Sequence, residues 1–166
     1  LITDSPERAK EVAEYLNSLN SDRDTLQRRI TKAAIEQAEE KFSPEKDPAL
    51  VLAGHGWHQG VIGIVAGRLA EKYHRPVIIV ALDQMKMKPG TGSGRSAAGL
   101  NLHQALAACS RHLIRHGGHA AAAGLTIEES SLDAFRAEFC EYVAEQVNPV
   151  EQVPEVIIDA ESQLSE

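Results

Sequence analysis

The chain has 166 residues, of which 43% are apolar and 25% charged, a composition typical of one globular domain with a substantial core. Its net charge of −7 is unevenly distributed, because residues 1–49 carry −3, residues 50–125 carry +6 and residues 126–166 carry −10. All seven histidines and all twelve glycines lie within the basic middle segment. That segment therefore predicts a functional surface for an anionic ligand, with a basic sheet edge balanced by acidic flanking helices as the alternative.

The longest apolar runs, such as 77–82, are far too short to span a bilayer, and the first residues lack the order of a signal peptide. We therefore expect no association with a membrane. The two cysteines, Cys109 and Cys140, form neither a disulfide framework nor a zinc motif, which favours a reducing cytoplasm. The chain begins at Leu1 rather than at a methionine, so we expect a fragment of a longer protein.

Residues 3–41 are predicted to form one long helix. Asp4 or Ser5 can cap its amino end, and Pro6 suits the first helical position. Apolar residues then recur along one face at alternating spacings of four and three, with one place skipped: Val12, Leu16, Leu19, Leu26, Ile30, Ala33. Such a helix would extend roughly 54 Å, which is too long for one compact domain of this size. We therefore expect it to connect two domains.

Strands that alternate with helices follow, and they predict an α/β fold in which a sheet is flanked by helices. The predicted strands are 49–53, 77–82, 93–97 and 120–127, and the predicted helices are 61–73, 102–116 and 131–146. The continuous apolar run at 77–82 indicates a buried parallel strand. A further strand beginning at Val156 is expected to open another domain.

Three glycine-flanked clusters lie at the predicted junctions between these elements. The first cluster, 57–63, lies at the start of a predicted helix. Glycines there let backbone N–H groups approach a phosphate, so Trp57, His58 and Gly60 are candidate ligand contacts. A role for Trp57 as a core aromatic residue is the alternative. Gly63 and Gly67 lie four residues apart on one face of the same helix, which indicates close helix packing.

The second cluster, 92–96, places Arg95 between small residues. Its guanidinium can bind one phosphate through two hydrogen bonds, and the hydroxyls of Ser93 and Ser96 are additional donors. An exposed loop arginine without a ligand is the alternative.

The third cluster, 117–124, consists of Gly117, Gly118 and His119 followed by four alanines and a glycine. The bare backbone around one imidazole allows a bulky anion to approach closely. His119 could then donate a hydrogen bond to a non-bridging oxygen or to a leaving group.

Two histidine pairs have spacings that can hold zinc. His112 and His116 lie four residues apart on one face of a predicted helix, and His55 and His58 lie three apart. However, residues 50–125 contain only two carboxylates, and no acidic residue accompanies the helical pair. We therefore expect no metal site in this chain, and no nucleophile-elbow motif indicates Ser-His-Asp catalysis.

The three clusters together resemble the DHH-associated domain of the RecJ exonucleases, in the DHH phosphoesterase superfamily. The motifs are Trp57-His58-x-Gly60-Val61-Ile62-Gly63, then Ser93-Gly94-Arg95-Ser96, then Gly117-Gly118-His119 with Ala122-Ala123-Gly124. The resemblance covers about residues 48–147. It implies a connector helix at 1–47, a substrate-binding domain at 48–148 and a truncated lead-in to an oligonucleotide-binding domain at 149–166.

The same resemblance implies a division of labour. In this family a DHH domain binds manganese or magnesium and activates the attacking water, while the associated domain faces it across a cleft and binds the nucleic-acid backbone. No Asp-His-His triplet occurs in the 166 residues, so the metal-binding half would lie elsewhere. By matching motifs, Arg95, Ser96, Gly118 and His119 would contact phosphate, with His119 at the scissile group and Trp57 and His58 at the cleft edge.

The favoured hypothesis is thus a fragment of a 5′-to-3′ single-stranded-DNA exonuclease of DNA repair and recombination, inactive alone. Its implied partners are single-stranded DNA and, among proteins, single-strand-binding or other repair proteins. Two alternatives remain: a phosphodiesterase of short oligonucleotides or cyclic dinucleotides, and a non-catalytic domain that docks onto a protein.

Overall fold

The computed structural model describes residues 4–43, 47–97 and 99–147. The predicted strand at Val156 and the expected lead-in at 149–166 lie outside these residues. The helices are α1 Pro6–Lys41, α2 Gln59–Tyr73, α3 Leu102–Ala108 and α4 Leu132–Gln146. The strands are β1 Leu50–His55, β2 Val77–Leu82, β3 Gly90–Arg95, β4 Arg115–Gly118 and β5 Ala122–Ile127. Short 3-10 turns lie at Ser110–His112 and Glu129–Ser131.

The five strands form one mixed sheet in the order β1-β2-β3-β5-β4. β1 and β2 are parallel and are connected by α2, whereas the other neighbouring strands are antiparallel. The predicted α/β class, a mixed sheet flanked by helices after a long helix, is confirmed. None of the described helices has the length and apolar character that crossing a membrane requires.

Both faces of the sheet bury an apolar core, because successive strand residues point to opposite sides. On one face, residues of α1 and α2 pack with those of β1 and β2, among them Ile30, Leu50, Leu52, Val65, Leu69 and Ile79. On the other face, residues of α3 and α4 pack with the sheet, among them Val51, Ile78, Val80, Leu106, Phe135 and Phe139.

β3 has glycine at every second position, on the face that α3 and α4 cover. A Cβ added at Gly90, Gly92 or Gly94 would lie 2.6–2.9 Å from side chains of β2 or β5. Leucine and isoleucine side chains of the neighbouring strands therefore occupy the space that β3 leaves empty. The alternate residues of β3 point to the opposite face: Thr91, Ser93 and Arg95.

The predicted helix at 102–116 is wrong in its second half. α3 ends at Ala108, a 3-10 turn follows, and Arg115–Gly118 forms the edge strand β4. The Ile114 N–H donates to the Thr126 carbonyl oxygen at 2.9 Å at the start of this pairing. The predicted strand at 93–97 is displaced as well, since β3 occupies 90–95. Pairing with β5 therefore determines the structure of both segments.

α1 begins at Pro6, and the Ser5 hydroxyl accepts a hydrogen bond from the Arg8 N–H at 3.4 Å. Only its carboxyl-terminal half is packed, with four buried side chains: Gln27, Ile30, Ala34 and Ala38. In the amino-terminal half Tyr15 is 64% exposed, and Leu16 and Leu19 are each 46% exposed. The burial follows spacings of three and four, so Ala34 rather than the predicted Ala33 faces the domain.

Amide hydrogen exchange is expected to be much faster at residues 6–20 than in β2. A helical segment without tertiary packing opens locally, whereas β2 is buried at all six positions. Exchange measured by mass spectrometry on a dilute monomer provides the test, with 27–38 as the packed control within the same helix. Equal protection of 6–20 and β2 would contradict this description of α1.

Candidate functional site

One half of the sheet carries a face, here called the open face, on which small and polar residues replace the apolar core. Its positions are aligned in rows across β3, β5 and β4: Thr91, Thr126 and Arg115; Ser93, Gly124 and Gly117; Arg95 and Ala122. Every one of these residues is exposed or half-buried. A groove of about 320 Å³ lies over the first two rows. The open face therefore offers bare backbone and hydroxyl groups beside two guanidinium groups.

Arg95 is held at the end of β3 by contacts with its own strand. Its Nη1 donates to the Gly94 carbonyl oxygen at 2.8 Å and to the Ser93 hydroxyl at 3.2 Å. The side chain is half-buried, yet it forms no ion pair with any residue of the described ranges. Its charge is thus fixed in direction without neutralisation, which is the arrangement that a bound anion can complete.

Two glycines of α2 make room for this side chain. A Cβ at Gly63 would lie 3.0 Å from Arg95 Nη2 and 3.0 Å from Ser93 Oγ. A Cβ at Gly67 would lie 3.9 Å from Arg95 Cγ. The arginine therefore extends along α2 toward the amino end of the helix, and the close packing predicted at these glycines involves Arg95 itself.

Ser96, the other serine of the second cluster, belongs to the loop after β3. Its hydroxyl donates to the Leu100 carbonyl oxygen, with the Ala97 carbonyl oxygen 3.4 Å away. Its backbone N–H donates to the Ala121 carbonyl oxygen at 3.0 Å. The structure thus places Ser96 beside the third cluster, with its hydroxyl proton committed to the loop.

The third cluster forms the turn between β4 and β5. Gly118 has φ +139°, and a Cβ there would lie 2.5 Å from the Ala123 Cα, so this position requires glycine. The His119 N–H donates to the Ala122 carbonyl oxygen at 2.8 Å, and Ala122 is the β5 partner of Arg95. The structure therefore brings the exposed His119 to the row that contains Arg95, while a Cβ at Gly117 would meet nothing within 4 Å.

Trp57, His58 and Gly60 lie at the entrance to α2. The His58 side chain caps the helix, accepting a hydrogen bond from the Gly60 N–H at its Nδ1 at 3.1 Å. The Trp57 ring covers Gly54, where a Cβ would come within 2.2 Å of it, and it packs partly against the core. These residues therefore serve the local structure first, because the Gly60 N–H is already occupied.

Trp57 and His58 also line a cavity of about 400 Å³ beyond the carboxyl ends of β1 and β2. Lys88 and Thr91 line the same cavity, and Thr91 also lines the groove of the open face. Trp57 and His58 are thus adjacent to the open face through Thr91, but the structure does not place them on it.

In each histidine pair with zinc-like spacing, one imidazole contacts a glutamate carboxylate. His112 lies in a 3-10 turn and His116 in β4, so the prediction that they share a helix face is wrong. His112 Nε2 lies 2.6 Å from a Glu138 carboxylate oxygen. His55 Nε2 lies 3.2 Å from a Glu129 carboxylate oxygen. Within the described ranges no group of three potential metal ligands converges.

Both cysteines are free thiols, and neither lines the open face. Burial, and secondarily the Glu138 carboxylate, raises the pKa of Cys109 to about 11. Burial also raises the pKa of Cys140. Since a thiolate rather than a thiol is the nucleophile, neither residue suits nucleophilic chemistry near neutral pH.

Residues 46–145, more than half of the chain, match the DHHA1 domain. The chain belongs to the DHHA1 domain family. It is 31% identical, over 96% of its length, to the single-stranded-DNA-specific exonuclease RecJ of Bacillus subtilis (strain 168), of which it spans 20%. The curated relatives that it matches are all much longer, since the chain spans between 20% and 28% of their length.

Two solved structures are similar to this DHHA1 domain and its preceding helix. One is a manganese-bound exonuclease RecJ, with a TM-score of 0.78 and 37% identity over 92% of this chain and 37% of that one. The other is RecJ of Thermus thermophilus in complex with Mg²⁺, with a TM-score of 0.76 and 34% identity over 87% of this chain and 22% of that one. The RecJ resemblance drawn from the three motifs is thereby confirmed.

Three polar residues of the open face in this DHHA1 domain, Thr91, Arg115 and Thr126, are absent from the candidates predicted from the sequence. In the first row, Thr126 on β5 lies between Thr91 on β3 and Arg115 on β4, in register with both. Arg115 falls within the predicted helix at 102–116, although Gly117 and Gly118, two and three residues later, mark a break. The available signal is an arginine two residues before a pair of glycines. Its strand, β4, pairs with β5, as does β3, which carries the second cluster.

Gly63→Ala is expected to displace the Arg95 guanidinium, whereas the matched control Gly67→Ala should leave it in place. The new methyl at 63 would press on Nη2 at the end of the arginine side chain and on Ser93 Oγ rather than on backbone atoms, so the fold should persist. Gly67→Ala should raise the free energy of unfolding by about 0.5–1 kcal/mol, because alanine is the better helix former. Thermal unfolding and the NMR resonance of Arg95 Nε measure both effects. Equal shifts of that resonance in the two variants would be inconsistent with the packing described.

Proposed function

We propose that this DHHA1 domain binds the phosphate backbone of single-stranded DNA within a 5′-to-3′ exonuclease of DNA repair and recombination. The observation that supports it most directly is Arg95, half-buried and oriented on the open face without a carboxylate partner. The similar RecJ proteins are single-stranded-DNA-specific exonucleases, and this specificity supplies the substrate class of the proposal. The long helix α1, matched within the coverage of the RecJ structures, favours this function over a small phosphodiesterase.

Arg95 binds a phosphate through the N–H groups that its own strand leaves available. A guanidinium has five N–H donors, and contacts with Ser93 and Gly94 engage only Nη1. Those contacts limit the rotamers of the side chain, so less conformational entropy is lost when the anion binds. Gly124 and Gly117 lie beside Ser93 in the same row, and their missing side chains let the sugar-phosphate backbone approach the sheet.

His119 acts at the scissile phosphate in this proposal. Three backbone hydrogen bonds hold the turn that carries it. They join His119 to Ala122 within the turn, and they join Ala120 to Leu102 and Ala121 to Ser96 outside it. An imidazole can either donate a hydrogen bond or transfer a proton. Gly118 and Ser96 thus contribute by positioning this turn, and Trp57 and His58 border the substrate path at the neighbouring cavity.

The metal-dependent step belongs, in this proposal, to a DHH domain of the complete protein. The two similar RecJ structures were determined with manganese and with Mg²⁺. Such an ion would polarise the phosphate and activate the attacking water when bound. The role of the described residues in this proposal is to bind and orient the nucleic acid through Arg95 and the open face.

The domain arrangement follows from the same proposal. Residues 1–47 connect the DHHA1 domain to the metal-binding half, 48–148 bind substrate, and 149–166 lead into an oligonucleotide-binding domain. The exposed Leu16 and Leu19 of α1 would be covered by the connected domain. Single-strand-binding or other repair proteins are proposed partners, and two free thiols in an enzyme of DNA repair support a cytoplasmic location.

Arg95→Ala is expected to weaken binding of single-stranded oligonucleotides by about 1.5–3 kcal/mol, the range for a hydrogen bond to a charged group. The slope of log affinity against log salt should flatten by about 0.7, the change for one lost contact to a single strand. His119→Ala should weaken binding less, because an imidazole has at most two N–H donors whereas a guanidinium has five. Fluorescence anisotropy with labelled poly-dT across a salt series measures all three quantities.

Arg111→Ala is the matched control, because it removes the same charge from an exposed arginine paired with Glu138 at 2.9 Å, away from the open face. Its affinity and salt slope should match those of the unsubstituted chain. If Arg95→Ala behaves like this control while its unfolding temperature is unchanged, the phosphate does not bind at the open face. Wild-type binding that is insensitive to salt would instead favour an apolar protein-docking domain.

The purified chain is expected to leave single-stranded DNA intact in manganese or magnesium. The reason is that the proposed metal-binding half is not part of these 166 residues. Incubation of 5′-labelled DNA followed by gel electrophoresis gives the answer, with a metal-dependent nuclease as positive control. Metal-dependent degradation that co-purifies with the chain and disappears in His119→Ala would overturn the division of labour.

A further inference from the structure

Arg115 occupies the opposite corner of the open face from Arg95. It lies on the edge strand β4, in register with Thr126, which is in turn in register with Thr91 on β3. The three side chains line the groove of about 320 Å³ together with the bare backbone at Gly117 and Gly124. No role in the proposed exonuclease has been assigned to this row so far.

The charge of Arg115 is not neutralised by a neighbour. Four other arginines pair with carboxylates in the described ranges, namely Arg8, Arg28, Arg111 and Arg136. Arg115 is exposed and forms no such ion pair with a described residue. The strand residues that share the open face with it include no carboxylate. An anion would therefore meet one cation and two hydroxyl groups without a repelling charge among those strand residues.

Arg115 and Arg95 are attached to the open face at widely separated points. Their partners on β5, Thr126 and Ala122, are four residues apart, and β4 lies two strands from β3. At about 3.3 Å per residue and about 4.8 Å between strands, the two Cα positions are roughly 16 Å apart. The residues between them are Ser93, Gly124 and Gly117, which leave a nearly bare path across the sheet.

We propose that Arg115, with Thr126 and Thr91, forms a second phosphate subsite that binds a downstream phosphate of the same single-stranded nucleic acid. This inference deepens the proposed function, on which it rests: Arg95 binds the phosphate nearest the reacting end, and Arg115 binds the strand after it has crossed the two glycines. The subsite is occupied only by an oligonucleotide. A mononucleotide has one phosphate and occupies the Arg95 position alone.

The test compares the binding of two ligands. Binding of 5′-phosphorylated thymidine is measured by NMR titration, and binding of 5′-phosphorylated dT10 is measured by fluorescence anisotropy. Arg115→Ala should weaken dT10 binding about tenfold, a loss typical of a charged hydrogen bond, and flatten the salt slope by about 0.7. It should leave mononucleotide binding unchanged. Arg115→Lys keeps the charge and should retain the salt slope. Arg111→Ala, the matched control, should alter neither ligand, and Arg95→Ala should weaken both.

The outcomes separate this subsite from the proposed function. If Arg115→Ala matches Arg111→Ala on dT10 while Arg95→Ala weakens it, the second subsite is refuted and the proposed function stands. If Arg115→Ala weakens both ligands equally, the two arginines share one site and the subsite is again refuted. If the unsubstituted chain fails to bind dT10 at low salt, the proposed function and the subsite fall together.

Discussion

The alternation of glycine with polar residues along β3 is the constraint on which the rest of the domain depends. On one face Gly90, Gly92 and Gly94 leave space that side chains of β2 and β5 fill. The core is therefore packed there although β3 contributes no side chain to that face. On the other face Ser93 and Arg95 take the positions that an apolar core would need. One central strand thus makes half of the sheet a core surface on one side and a binding surface on the other.

The two halves of the sheet differ because α2 covers only part of it. Over β1 and β2 the helix buries valine, leucine and isoleucine side chains. At β3 its glycines meet Arg95, so the guanidinium takes the place of an apolar contact at the border between core and solvent. A buried charge without a partner is costly, but a half-buried one that keeps contact with solvent avoids most of that cost. The position at the border is therefore what makes an unpaired arginine tolerable.

Much of the fold could be predicted from the sequence, because α1, α2, β2 and α4 have strong apolar periodicity or a continuous apolar run. The three glycine-flanked clusters could also be located from the sequence, because their small residues stand together. The edge strand β4 could not be predicted, since Arg-His-Gly-Gly has neither apolar alternation nor high strand propensity and forms through pairing with β5. Arg115 was missed together with its strand. The capping role of His58 and the Leu100 contact of Ser96 depend on tertiary geometry that no spacing indicates.

The uneven packing of α1 also has a mechanical consequence. Twenty-one residues of the helix precede Gln27, its first buried side chain, and they project roughly 31 Å beyond the packed end. The packed end is held by four buried side chains and by two hydrogen bonds between the Gln37 amide and the Ala53 backbone, whereas the projecting part has no buried side chain. At that length a rotation of only about 5° displaces Pro6 by about 3 Å. The helix therefore amplifies small adjustments beside the sheet into ångström-scale displacements at its far end.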